Sequence, residues 1–178
     1  PDAGMRRAAA AALGQIGAKE SMAPLQEALD DQDLHVRREA LRAVGAIADA
    51  GSAAVFEKAL KDSDAVIRLQ AASALGRLGD FSGEAAVAAL LKDGEASIRM
   101  QAADVLGRIG GKDKALPALL AALSSEKDQG VKGLLDLAAA QIKARLGIKD
   151  EPAKKPKPAA GEPVKARAKK SPAKKSAP

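Results

Sequence analysis

At 178 residues with a formal net charge of +6, the chain holds no Cys, Trp or Tyr, two Phe and a single His, His35. That inventory excludes a disulfide scaffold, a thiolate zinc centre, a His-rich metal site and an aromatic platform for single-stranded nucleic acid. No apolar run approaches the roughly 18–20 residues that span a bilayer, and 43 Ala among abundant Leu, Arg, Lys and Glu make the chain helix-prone.

The charge is divided unevenly. Residues 1–150 carry 20 basic and 21 acidic residues, whereas residues 151–178 carry nine basic and two acidic ones together with six of the nine prolines. The chain opens at Pro1 with Met5 already inside a helical pattern, so it reads as a processed or excised piece of something longer, with further repeats expected upstream.

The first 148 residues are an internal repeat. The stretches MRRAAAAALGQIG, VRREALRAVGAIA, IRLQAASALGRLG and IRMQAADVLGRIG begin at Met5, Val36, Ile67 and Ile98, a constant step of 31 residues. Arg6, Arg37, Arg68 and Arg99 keep that step, as do Gly14, Gly45, Gly76 and Gly107. Acidic pairs precede the later copies: Asp31 with Asp33, Asp62 with Asp64, and Asp93 with Glu95. A degenerate fifth copy starts at Val131 after an interval of 33. The copies run over about 2–32, 33–63, 64–94, 95–127 and 128–148, and residues 149–178 form a tail.

Within a copy, Val36, Ala40, Val44 and Ile47 fall at i, i+4, i+8 and i+11, one face of a 3.6-period helix. Asp33, Asp64 and Glu95 stand where an N-cap or first-turn acid belongs. Gly17, Gly79 and Gly110 are helix stops, with Ala48 in the same place in the second copy. A second apolar stretch follows in each copy (MAPLQEAL, AAVFEKAL, EAAVAALL, ALPALLAAL), and Ser21, Ser52 and Ser82 read as N-caps of those second helices. Each copy is thus expected to be two helices of roughly 11–15 residues joined by a short Gly turn. One hairpin cannot bury its apolar face alone, whereas a stack of them can, which makes an all-α solenoid. The mid-helix glycines cost about 1 kcal/mol each against Ala, and the close approach of a neighbouring helix is the expected reason for them.

The pattern D-x-D-x-x-V-R-x-x-A-x-x-A-L-G-x-I-G at a step near 31 resembles the short HEAT repeats named after phycobilisome lyases, over about residues 2–146. The resemblance implies a right-handed superhelix of antiparallel helix pairs. It also implies that the Asp and Arg ladder (Asp33, Arg37, Asp64, Arg68, Glu95 and Arg99) pins successive repeats, with each acid and Arg at i, i+4 supporting one another on one helix face. The repeat also occurs in enzymes. The HEAT-repeat hydroxylases hold two irons with several His-Glu pairs, and the alkylpurine glycosylases grip their substrate with Trp and Tyr; neither set is present. A chain without Cys and poor in aromatics offers no evident pigment pocket, which leaves an accessory or lyase-like subunit of a bilin-lyase or protein-modification system as the alternative class.

No catalytic, cofactor-binding or metal-binding constellation rises above background. A non-enzymatic scaffold remains, binding a protein partner on its concave face. In such families the second helices usually line that face, and their expected exposed residues are Gln26, Glu27 and Asp30, then Glu57, Lys58 and Lys61, then Ala88, Ala89 and Lys92, then Ala121 and Ala122. A partner helix or peptide would lie there.

The tail, EPAKKPKPAAGEPVKARAKKSPAKKSAP, has Val164 as its only large aliphatic residue and reads as disordered. Its composition resembles the C-terminal tails of linker histones. Lys154, Lys155, Lys157, Lys165, Arg167, Lys169, Lys170, Lys174 and Lys175 would neutralise phosphates without reading base edges, giving nucleic-acid binding independent of sequence. A plain spacer is the competing reading of the same segment. The expected location is the cytoplasm, as a bacterial cytoplasmic or nucleoid protein.

Overall fold

The computed structural model describes residues 2–48 and 50–149. Among these residues the chain is all-helical, and long and short helices alternate. The long helices are α1 (Ala3–Ile16), α3 (Leu34–Ile47), α5 (Ala65–Arg77), α7 (Ala96–Ile109) and α9 (Gln129–Leu146). Between them lie α2 (Met22–Ala28), α4 (Ala53–Ala59), α6 (Glu84–Leu90) and α8 (Ala115–Ser125). Three of the four short helices are only seven residues long, below the expected length.

The long helices start where side-chain caps allow. Asp2 Oδ1 accepts from the Met5 N–H at 2.8 Å, Asp33 Oδ1 from His35 and Val36, Asp64 Oδ1 from Ile67, and Asp128 Oδ1 from Val131. Glu95 occupies the same position without capping, because its longer side chain turns to the Ser97 hydroxyl instead. Gly17 ends α1 in the left-handed region at φ 67, which a Cβ would oppose. Gly110 ends α7 in an extended conformation, as Ala48 ends α3.

The expected serine caps are not formed. Ser21 and Ser52 sit buried at the N-cap positions of α2 and α4 with helical backbone angles, and neither makes a side-chain cap bond. The chain enters those helices through 3-10 turns at Lys19–Ser21 and Ala50–Ser52, so the serine lacks the extended backbone that aims a capping hydroxyl. Ser82 precedes the Gly83 N-cap and donates its own N–H to Asp80. The start of α8 is served from the previous repeat: the buried Glu84 carboxylate accepts from the N–H groups of Gly111 at 2.6 Å and Ala115 at 3.0 Å.

Each short helix packs chiefly on the long helix that follows it, so the tight pair spans the acidic turn rather than the Gly turn. Long helices also pack on one another at every step, whereas among the short ones only α6 and α8 make more than marginal contact. The buried residues form two clusters. One gathers Leu25, Ala40, Val44, Phe56, Ile67 and Leu75; the other gathers Val87, Ile98, Leu106, Leu119, Leu135 and Ile142. Helix α5 belongs to both, giving Ile67, Ala71 and Leu75 to the first and Leu69 and Ala72 to the second.

The mid-helix glycines separate into two kinds. A Cβ at Gly14 would stand 2.6 Å from Ala43 Cβ and 2.9 Å from its Cα, one at Gly76 would overlap Ile109, and one at Gly107 would crowd Ala138 and Gln141. These are the close approaches that the repeat pattern implied. At Gly45 the nearest atom is Arg77 Nη2 at 3.8 Å, so the seam between α3 and α5 is open there. Gly45→Ala is therefore expected to stabilise the fold by about 0.5–1 kcal/mol through helix propensity alone. Gly14→Ala is expected to destabilise it, because overpacking against a neighbouring backbone typically costs about 1–3 kcal/mol. Urea midpoints of the two variants, moving in opposite directions, check both.

Candidate functional site

The arginines of the expected ladder pair differently from the local pattern. Arg37 does not bond to Asp33, which is engaged as the α3 cap; it reaches into the next repeat. Its Nε and Nη2 donate to the Asp62 carboxylate at 2.9 and 3.2 Å, and its Nη1 donates to the carbonyl of Asp31. Arg6 does the same with Asp31, and Arg99 with Glu126 and the Asp93 carbonyl. Arg68 donates only to the carbonyls of Asp62 and Ser63, while Asp64 is taken by Arg38 at 2.8 Å. Arg99 likewise bypasses Glu95. The i, i+4 pairs are thus replaced by bidentate forks reaching 25–27 residues ahead, because a guanidinium pointing along the stack meets the next acidic turn while its own turn's second acid faces the helix N-terminus.

These contacts set the carboxyl groups. The Arg6 guanidinium, helped by the Asp33 N–H, lowers Asp31 to about 2. Arg99, with the N–H of Asp128, lowers Glu126 to about 2. Partial burial opposes ionisation of Asp62, but the Arg37 fork and the Asp64 N–H outweigh it and hold the carboxyl below its usual range. Asp64 follows the same balance with Arg38.

The expected docking residues on the short helices do not form one continuous site, and of them Ala88 and Ala122 are half-buried against the core while the others are exposed. Ala88, Ala89 and Lys92 join Ala121 and Ala122 around a shallow groove of about 990 Å³ between α6 and α8. Lys58 and Lys61 line a separate notch of about 320 Å³ with Asp30. Gln26, Glu27 and Glu57 are exposed and belong to neither groove. The basic tail residues from Lys154 to Lys175 lie outside the described residues.

A different groove runs over the long helices. Arg42, Gly45 and Ala46 of α3, Gln70, Ser73 and Arg77 of α5, and Gln101, Asp104 and Arg108 of α7 line a cleft of about 540 Å³. Leu41, Leu69, Val105 and the buried Phe56 form its apolar lining. It opens where Gly45 leaves the α3–α5 seam apart, beyond the point where Arg37 and Arg38 pin the two elements. Gln70 with Gln101 and Arg77 with Arg108 keep the 31-residue step, but that step is common to the whole repeat and does not mark the cleft.

Because the folded carboxyl values lie below the unfolded ones, the rungs contribute fully above about pH 5 and lose their contribution as pH falls toward about 2. Glu126→Gln should lower stability at pH 7 and make the loss between pH 5 and 2 shallower. Urea melts of the two proteins across that range measure it.

No His, Cys, Asp and Glu group that could hold a metal ion occurs among the described residues, and no helix among them is long and apolar enough to cross a membrane. The family model for HEAT repeats matches residues 1–76 and 53–139. No curated protein matches the chain. Among solved structures, the crystal structure of an engineered protein, a Northeast Structural Genomics Consortium target, is similar at 25% identity and a TM-score of 0.53, covering 80% of this chain and 75% of that one. With stacked helix pairs, capped acidic turns and a repeat match that runs from α1 into the first part of α9, the chain belongs to the HEAT-repeat family.

Proposed function

We propose that this protein is a non-enzymatic scaffold that docks a protein partner on the concave face of its helix stack. HEAT repeats are typically protein-interaction scaffolds. The observation that carries the reading is the cleft crossing α3, α5 and α7, where residues of three neighbouring long helices line one recess. The layer packing supports the same side. In a curved stack the inner layer is the compressed one, and here the long helices pack on each other while most short ones stand apart. On this reading the docking face is the long-helix layer, whereas the repeat resemblance implies the short helices. The alanine-floored groove between α6 and α8 favours the short-helix face as a second reading.

A photo-crosslinking side chain at Ser73 and another at Ala89 separates the two faces. The expected result is a discrete partner adduct from position 73 and none from 89; adducts from 89 alone would favour the second reading.

The tail adds a second activity to the proposal: phosphate-seeking attachment to nucleic acid. The support is its composition, nine basic groups against two acidic ones with no large apolar content. The slope of log K against log salt is expected to approach, at most, about −8. Anisotropy of a labelled random-sequence duplex, titrated with the full chain and with one ending at Asp150 at two salt concentrations, tests it. The full chain is expected to bind with steep salt loss and the shortened one to show none; equal behaviour of the two would leave the tail a spacer.

A further inference from the structure

The cleft over the long helices contains polar groups with nothing to bond to. Arg77 and Arg108 occupy the same repeat position, 31 residues apart. Arg108 is satisfied by Asp104, one helical turn earlier, at 2.8 Å, and reaches Ser73 at 3.4 Å. In the α5 copy the residue one turn before Arg77 is Ser73 rather than an acid, and among the described residues Arg77 makes no hydrogen bond or ion pair. Its Nη2 lies over the open seam at Gly45. Gln70 and Gln101, also one repeat apart, are exposed on the same cleft, and their side-chain amides likewise have no partner among the described residues. Beneath them lie Leu69, Val105 and Phe56.

We propose that the cleft binds an extended, acidic peptide segment of the partner. The inference rests on the docking reading above and names the chemistry of what docks. A peptide carboxylate takes, on Arg77, the place that Asp104 takes on Arg108, forming a charge-assisted fork. The two glutamine amides, each carrying a donor and an acceptor, bond to the peptide backbone. Neighbouring helix axes stand about 8–10 Å apart, a span that two to three residues of extended chain cover at about 3.3 Å each. An apolar peptide side chain between the two glutamines points to Phe56, Leu69 and Val105. Arg42 is paired with Glu39 and Arg108 with Asp104, which leaves Arg77 as the uncompensated charge of the lining, so the cleft favours an acidic segment and disfavours a basic one such as this chain's own tail. The wide seam at Gly45 then has a use, because a bulky residue there would close the floor on which the peptide lies.

The test uses the full-length protein and a fluorescein-labelled nonapeptide of alternating Asp, Leu and Gly, with a partner peptide carrying Lys for every Asp. Saturable binding of the Asp peptide is expected, weakened at least tenfold by Arg77→Glu and several-fold by Gln70→Ala with Gln101→Ala. All three substitutions are at exposed positions, and unchanged far-UV circular dichroism verifies folding. Amide shifts on binding are expected at Gly45, Gln70, Ser73 and Gln101. No binding of the Asp peptide, equal binding to Arg77→Glu, or preference for the Lys peptide would each overturn the proposal, the last pointing to a basic occupant. Shifts confined to Ala88 and Ala89 would overturn it too while leaving protein docking intact. Loss of crosslinks from both position 73 and position 89 would instead remove the docking reading beneath it.

Discussion

No helix pair in this chain can bury its own apolar face, and every other feature of the fold follows from that shortage. A seven-residue helix such as α4 offers Phe56 and Ala59 to the interior and little more. Its long partner α5 must therefore be covered on two sides, with Ile67 and Leu75 in one cluster and Leu69 and Ala72 in the other. That α5 buries residues on two faces is thus a consequence of its position in the middle of the stack. Burial of this kind is non-directional, so it fixes that the repeats stack but not how they are aligned.

Alignment comes from the polar groups between them. Arg37 and Arg99 reach forward and also hold carbonyls of their own turn, so one side chain ties a short helix, a long helix and the next repeat together. Glu84 performs the matching task from the other layer, reaching the backbone of the turn before α8. Forked contacts demand a fixed angle between elements in a way that Leu against Ala does not. Where they concentrate, at Arg37 and Arg38, the helices are held at one end only, and the seam beyond is free to widen toward Gly45.

The helices, their period and the tight glycine seams were legible in the sequence because each is written in residues a few positions apart. Val36, Ala40 and Val44 announce a helix face by spacing alone, and all three are fully buried. The partners of the arginines were not legible, because Asp33 is closer to Arg37 in sequence than Asp62 and only the stacked geometry reverses that preference. The serines failed for a related reason: residue type suggested a cap, but the backbone entering α2 and α4 was already helical. Gly45 shares its repeat position with Gly14 and Gly76, so no pattern of spacing distinguishes the open seam from the closed ones. The cleft is made by how two helices diverge, a property of packing rather than of either helix.

Glu84 and the ladder arginines share a further property, the shortness of their reach along the chain. The rungs connect residues 25–27 apart, Glu84 meets its partners 27 and 31 residues on, and Arg145 reaches back 38 to the Gly107 carbonyl. A fold built from such neighbour-to-neighbour links has low contact order, and loop-closure entropy grows only slowly with the short loops it must close. Native structure can then begin wherever two adjacent repeats first meet and spread outward in both directions, with α5, the helix shared by both cores, as the place where the two growing halves join.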